Sequence, residues 1–468
     1  MSTSTTVEPR RRWTLRGALQ PAASHTPERR ARSLSGLPAR RDPSQTWVQR
    51  LVTNPWLWIS LVLFQLYAMG LWAVYRVLSP DRVQGDMVMP GLDIDTLQKC
   101  AGHAAPTAAV WALVFIGFDR LRPMRPLLWL LSFGWGACMA VSVSFFVNSW
   151  VAELMNVSAG PGDPAAQARP AVFAAPFVEE AAKATILFLL AILVRHRIVS
   201  VLQSVGLAGL SAIGFAFTEN IIYYARAMVY GSMTAETGDV DAAVQQLVIL
   251  RGVMTSYGHP FFTMFTGIGL VLALRTRSKL VRILAPLTGF LLAALGHMWF
   301  NGSSTMGQQS ETYYWIQFGV IVGGMVLFLT RHEFKELRRV RTRLEDYVRM
   351  GWLLPGDPIN MGSARRRDWL CLVAIFRGPR VFLATLREMR ALTELAYLRD
   401  AMVRGIVDEA GQAREKELLA EIDSLRGFAL DEARGLRLTV NWARLAFWRR
   451  LRRPPQTTMV TGWPAPGA

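Results

Sequence analysis

The sequence predicts an all-α membrane protein: a polytopic bundle of about eight transmembrane helices, followed by a basic helical C-terminal region. The chain has 468 residues, of which 51% are hydrophobic and 18% are charged, whereas soluble domains carry about a quarter charged residues. The hydrophobic residues form blocks long enough to cross a bilayer, and the charges fall between the blocks. The connecting segments also alternate between basic and neutral or acidic, as expected of a multi-pass protein.

Eight apolar segments are candidate spans. They lie at about residues 56–77, 104–118, 127–149, 171–194, 203–225, 256–274, 283–301 and 314–330. The segments before the first span and after every second span are rich in arginine, and the others are not. By the positive-inside rule, this alternation predicts that both termini are cytoplasmic in a protein of the plasma membrane.

The regions outside the spans have their own composition. Residues 1–52 are rich in arginine, serine and proline and predict a disordered basic tail. Residues 53–330 form the predicted transmembrane domain, and residues 331–468 form a predicted cytoplasmic helical tail. Helical spacing at 386–407 and 414–436 indicates a helical hairpin in this tail.

The positive charge of the chain predicts contact with lipid. The net charge is +18, and the arginines cluster in the two tails and in short loops, where they would contact anionic lipids of the inner leaflet. Nucleic acid is therefore not an expected partner. The basic amphipathic segment 436–453 either lies on the inner leaflet or packs within the tail.

Ionisable residues inside the predicted spans are candidate functional residues, because a charge at membrane depth is costly. They are Glu179, Glu180, Lys183, Glu219, His259 and His297. All lie in the outer halves of their spans, and Asn301 follows His297 by four residues. Pro260 directly follows His259, which suits a helix start or a kink that exposes the imidazole.

The spacing of these residues suggests hydrolysis. Lys183 lies four residues after Glu179 and three after Glu180, so it can pair with one carboxylate and leave the other for chemistry. A desolvated carboxylate could act as general base, with imidazole and the Asn301 amide stabilising an oxyanion. Alternatively, a Zn²⁺ ion could be bound by His259, His297 and a glutamate such as Glu180, a ligand set known from catalytic zinc sites.

Four motifs resemble those of PrsW-type intramembrane proteases, which are related to the CAAX-processing and bacteriocin-processing (CPBP) membrane proteases. The motifs are EEAAK (179–183), FAFTEN (215–220), the histidine of GHPFF (258–262) and HMWFN (297–301). They occur in the family's order, and the resemblance covers about residues 55–330. It implies that Glu179 and Glu180 supply a general base or metal ligand with Lys183 as counter-ion, and that the remaining candidates complete the site.

The resemblance also implies a substrate class. Proteases of this type cleave membrane-anchored proteins, such as anti-sigma factors, near the outer face. Two rival functions are a transporter or channel that uses the same residues as an ion path, and an inactive scaffold for the tail. A transporter should show repeated halves or polar groups across the full membrane, and neither is present in the sequence. The intact motif set argues against an inactive scaffold.

Overall fold

The computed structural model describes residues 46–430, except 53, 85–86, 158–167, 196, 234–238, 306–309 and 408. Most of the predicted N-terminal tail and the predicted amphipathic segment 436–453 lie outside the described residues. The last residues of the predicted tail include a short helix, α1 (Trp47–Val52).

Nearly all of the described chain is helical. The membrane domain comprises α2 (Pro55–Leu78), α3 (Ile94–Phe118), α4 (Pro126–Gly134), α5 (Val141–Val157), α6 (Ala175–Val194), α7 (Val201–Met233), α8 (Val240–Ile249), α9 (Gly258–Leu274), α10 (Lys279–Thr305) and the first part of α11 (Glu311–Arg349). Two short strands, β1 (Arg82–Gln84) and β2 (Met87–Met89), form an antiparallel hairpin between α2 and α3. Some helix starts carry capping side chains, for example Asn54 before α2 and Asp93 before α3, whereas α4, α6 and α9 start without one.

Seven helical segments of the described chain are long and apolar enough to cross a membrane. They are Pro55–Leu78, Ile94–Phe118, Pro126–Met155, Val201–Gly231, Val240–Leu274, Lys279–Ser304 and Glu311–Arg349. The eighth predicted span corresponds to α6, a 20-residue helix that carries Glu179, Glu180 and Lys183. Twenty residues of helix are about 30 Å long, so the difference between seven and eight spans comes from these charges and not from the length of α6.

The central helix of the bundle is α7, and the most apolar stretch of its candidate span, Val201–Gly231, is 89% buried. It packs against α3 and α9, and closely against a π-helical segment, Trp135–Ala140, between α4 and α5. Glycine permits this close packing, because a Cβ atom at Gly214 would lie 2.1 Å from the carbonyl oxygen of Phe133, at the end of α4, and 3.0 Å from the backbone nitrogen of Ala137 in the π-helical segment. The close packing fixes the position of Glu219, which lies further along α7.

The C-terminal region is a helical domain built on the end of α11. Helices α12 (Gly356–Met361), α13 (Ala364–Arg377), α14 (Pro379–Val403) and α15 (Glu409–Leu425) follow it. The predicted helical hairpin is present as α14 and α15, although α15 ends at Leu425. Leu344, Leu395 and Leu418 are fully buried in the shared core of this domain.

Two buried carboxylates of the C-terminal region bind the ends of bundle helices. Glu336 accepts hydrogen bonds from the backbone N–H of Leu202, at the start of α7 (3.4 Å), and from the hydroxyl of Tyr397 (2.7 Å). Asp400 forms an ion pair of 2.5 Å with Arg275, directly after α9. The helical domain is therefore attached to α7 and α9, the helices that carry Glu219 and His259.

Candidate active site

All six predicted ionisable residues meet in one group of contacts. Helix α6 brings Glu179, Glu180 and Lys183, and helices α7, α9 and α10 each bring one further residue, Glu219, His259 and His297. The group borders a cavity of about 380 Å³ lined by Glu179, Glu219, both histidines and Asn301. Four helices thus deliver titratable side chains to one partly enclosed space.

Glu180 is fully buried and its oxygens are fully engaged. Oε1 accepts a hydrogen bond from Lys183 Nζ (2.7 Å) and lies 3.2 Å from His297 Nδ1. Oε2 accepts a hydrogen bond from the hydroxyl of Thr263 (2.7 Å), a residue of α9. Because these contacts come from three helices, Glu180 holds α6, α9 and α10 together around the cavity.

Glu179 is bound much more loosely than Glu180, although it is also buried. Its Oε1 accepts a hydrogen bond of 3.4 Å from Asn148 Nδ2. Its Oε2 has no hydrogen-bond partner in the described structure, and lies 3.7 Å from Lys183 Nζ and 3.9 Å from His297 Nε2. A buried carboxylate oxygen without a hydrogen bond is costly, so this oxygen is the atom of the site most in need of a ligand.

Lys183 and His259 belong to a chain of polar contacts that ends at Arg251. Lys183 Nζ lies 2.9 Å from His259 Nδ1, and His259 Nε2 lies 3.0 Å from Glu219 Oε2. Since an ammonium group can only donate, Nδ1 accepts and Nε2–H donates to Glu219. Arg251 also donates to Glu219 Oε2 (2.8 Å), so Glu219 orients the imidazole and is itself held by a guanidinium.

His297 presents one free ring nitrogen to the cavity side of the site. Its ring stacks on Phe262, with centroids 5.2 Å apart and an interplanar angle of 10°. When Nδ1 donates its proton to Glu180, Nε2 carries the lone pair and faces Glu179. The stacking and the hydrogen bond together fix which nitrogen is available to a ligand.

Glu179, His259 and His297 can together hold a metal ion, because their candidate ligand atoms all lie within 4.8 Å of one another. The donor set is chemically that of catalytic zinc sites, and the unpaired Glu179 Oε2 and the free His297 Nε2 fit it. His259 would have to exchange its contact with Lys183 or Glu219. The structure thus groups Glu179 with the histidines, where the sequence suggested Glu180, because Glu180 is already engaged by three donors.

Asn301 does not contact the carboxylates. Its side-chain N–H₂ donates to the carbonyl oxygen of Ala171 (2.9 Å), which lies in a π-helical segment, Pro170–Ala174, directly before α6. Asn301 still lines the cavity. In this structure it therefore joins the end of α10 to the start of α6, and its amide positions the wall of the site.

Sequence reasoning missed Arg251, Thr263 and Asn148. Arg251 lies in a third π-helical segment, Leu250–Met254, which extends helix α8 towards α9 and lies before the predicted span at 256–274. Such π-helical turns often occur at functional sites, but a hydropathy pattern does not reveal them. Thr263 and Asn148 are uncharged residues of spans, so only their contacts distinguish them from ordinary packing residues.

Helix α9 begins at Gly258, so Pro260 lies in its first turn and His259 lies at the helix start.

Comparison with known proteins gives one family match to this part of the chain. Residues 124–330 match the model of the PrsW family intramembrane metalloprotease, a range that contains all four motifs and every residue of the site. No curated protein and no solved structure matches the chain. Residues 124–330 are thus similar to PrsW family intramembrane metalloproteases, and this match indicates a protease.

Proposed function

We propose that this protein is an endopeptidase that hydrolyses a peptide bond of a membrane-anchored protein near the outer face of the membrane. The observation that carries the proposal is the state of Glu179: it borders the cavity, and its Oε2 is buried beside two histidines without a hydrogen bond. The family match supports intramembrane proteolysis in general. Glu179 is the residue of this chain best suited to the chemistry.

Glu179, His259 and His297 are the proposed ligands of a Zn²⁺ ion. Such an ion supplies Lewis-acid activation of water and of the scissile carbonyl. Glu180 holds Lys183 and His297 in place, and Glu219 orients His259. Lys183 Nζ, within 4 Å of both carboxylates, balances their charge and can donate a hydrogen bond to an oxyanion.

The proposed topology follows the charge of the loops. The basic loops and both termini are cytoplasmic, so the site faces the outer half of the plasma membrane. Residues 53–330 then form the catalytic domain, and residues 331–468 form a cytoplasmic tail whose arginines, like those of the N-terminal tail, attract anionic lipids. The proposed substrate is a single-pass membrane protein, for example an anti-sigma factor, that enters laterally from the bilayer.

Substrate discovery in cells tests the proposed reaction. Wild type, Glu179→Gln, Glu180→Gln and His259→Ala would be expressed in a deletion strain, and the membrane proteome would be searched for proteins shortened near their outer face. Glu153→Gln is the matched control, because Glu153 is an exposed glutamate of α5. We expect a fragment with wild type and the control that is absent with the three site variants at equal protein levels. Fragments unchanged in all variants would refute the assignment.

Metal analysis of the purified protein tests the ligand set. Wild type and Glu153→Gln should retain one Zn²⁺ per chain after dialysis, whereas Glu179→Gln and His297→Ala should lose it. A chelator should stop cleavage, and added Zn²⁺ should restore it. Equal metal content in wild type and Glu179→Gln would remove Glu179 from the ligand set and return the role of general base to the two glutamates.

A further inference from the structure

Helix α13 has an apolar face that no part of the described chain covers. Its exposed large side chains are 43% to 61% accessible and share one side of the helix; they are Trp369, Leu372, Ile375 and Phe376. We call these four residues the apolar patch. The opposite side of the helix, with Leu370 and Ala374, is buried in the C-terminal domain. A helix that is apolar on both sides has two surfaces to bury.

Helix α13 contacts the loop between α3 and α4, next to the ends of two candidate membrane spans. The buried Arg367 donates from its guanidinium to the carbonyl oxygen of Leu121 (2.7 Å), and Asp368 accepts from Arg120 (3.0 Å). Leu121 and Arg120 lie in the loop between α3 and α4, at the ends of two candidate spans. Helix α13 is therefore held at the level where the spans leave the apolar part of the bilayer.

The arginines around the patch match an anionic lipid surface, and the one exposed acidic residue on the same side of α13, Asp368, is paired with Arg120 (3.0 Å). Arg365 and Arg366 lie in the first turn of α13, Arg377 is its last residue, and Arg380 follows in the first turn of α14; all four are exposed. Arginines at both ends of an apolar, Trp-containing helix are typical of helices that lie in the membrane interface. Each basic residue near an anionic leaflet adds to the attraction.

We propose that α13 lies in the cytoplasmic leaflet, with the apolar patch among the acyl chains and the arginines at the phosphate groups of anionic lipids. The proposal goes beyond proteolysis and rests on the orientation proposed above, but not on the catalytic assignment. It assigns a membrane-binding role to a segment of the tail separate from residues 436–453. Contact with lipid would then hold the C-terminal domain against the bundle.

Spin-label accessibility in the full-length protein tests this placement. Single cysteines would replace Leu372 and Phe376 in a background without the native cysteines, and Arg390 and Lys416 are matched sites on exposed faces of α14 and α15. The protein would be placed in nanodiscs of phosphatidylcholine with or without phosphatidylglycerol. We expect labels in the patch to be more accessible to oxygen than to a water-soluble nickel complex, and the control labels to show the opposite preference.

The dependence on lipid charge separates lipid from other occupants. Phosphatidylglycerol should move the patch labels deeper, and Arg365→Gln with Arg377→Gln should abolish that shift. Labels that the nickel complex reaches freely in both nanodiscs would overturn the proposal. Labels shielded from both reagents would also overturn it, because they would place a protein, such as a second copy of this chain, on the patch. Proteolytic activity is a separate readout, so failure of one proposal is distinguishable from failure of the other.

Discussion

Thr263 offers a sharp test of the buried network, because a second threonine of α9 provides its control. Both Thr263 and Thr266 are fully buried, and valine has nearly the shape of threonine. The hydroxyl of Thr263 donates to Glu180 Oε2 (2.7 Å), whereas the hydroxyl of Thr266 has no partner in the described structure. Thr263→Val therefore removes a hydrogen bond to a buried carboxylate, and Thr266→Val removes none.

The expected magnitude follows from the acceptor. A hydrogen bond to a charged group is worth about 1.5–3 kcal/mol, whereas interhelical hydrogen bonds in membranes average about 0.6 kcal/mol with a maximum near 1.7 kcal/mol. Because Glu180 is fully buried and engaged by three donors, we expect Thr263→Val to lower the free energy of unfolding by about 1.5 kcal/mol, roughly a tenfold change in the folded-to-unfolded ratio. Thr266→Val should be nearly neutral.

The assay is reversible unfolding of the purified protein in lipid bicelles, with cleavage measured on the same samples. Repeating Thr263→Val in a Glu180→Gln background completes a double-mutant cycle, and the effect of the threonine should shrink when its acceptor is neutral. Equal losses for Thr263→Val and Thr266→Val would refute the reasoning, since the hydrogen bond to Glu180 would then contribute nothing.

Three further substitutions test the helix packing, the loop and the polar chain. Gly214→Ala should destabilise the fold by about 1–3 kcal/mol through overpacking, whereas Gly206→Ala should not, because its Cβ would lie 3.5 Å from the nearest atom; thermal unfolding compares them. Burial raises the pKa of Asp119, after α3, from 3.8 to about 7; the folded protein thus keeps a proton that the unfolded chain releases, and stability should fall as pH rises from about 4 to 7. Asp119→Asn should flatten that slope in pH-dependent unfolding. Arg251→Gln should lower kcat about 10- to 100-fold, because a hydrogen bond to a charged group such as Glu219 is worth about 1.5–3 kcal/mol. The control Arg226→Gln, at the same cavity, should retain activity. Equal kcat values for the two variants would exclude a positioning role for Arg251.

The sequence predicts the helices of this protein well because hydropathy and helix signals agree. The span predicted from residue 56 begins next to the observed cap Asn54, but the span predicted from residue 104 begins well inside α3, which starts at Ile94 after the cap Asp93. The π-helical segments escape such reasoning, because a one-residue expansion of a helix leaves its composition unchanged. They matter here, since one of them, Leu250–Met254, carries Arg251 to Glu219. The sequence also does not predict how the C-terminal domain packs against the bundle, because the contacts join residues that are far apart in the chain.

For the candidate site, the sequence identifies the ionisable residues that meet but not the contacts that each one makes. Ionisable residues are conspicuous in apolar spans, so the sequence predicts all six of them. The structure brings the six side chains together at the candidate site. The relative roles of Glu179 and Glu180 depend on which helices face each carboxylate, and adjacent residues on one helix differ in direction by about 100°. Glu180 faces Thr263 and His297, whereas Glu179 faces the cavity. The spacing of residues within α6 does not predict which of the two carboxylates faces the cavity.

The balance of charge distinguishes Glu179 from the other carboxylates, as the hydrogen bonds do. The contact network of the site contains three carboxylates, Glu179, Glu180 and Glu219, and two permanent cations, Lys183 and Arg251. Lys183 lies 2.7 Å from Glu180, and Arg251 lies 2.8 Å from Glu219, so each cation has a close partner and one carboxylate is left over. A buried charge without a close partner is strongly unfavourable. Glu179 is therefore the carboxylate that lacks a hydrogen bond at Oε2, and it shares its nearest cation, Lys183 at 3.7 Å, with the closer Glu180. This is the state expected of a group that can accept a metal ion or a proton.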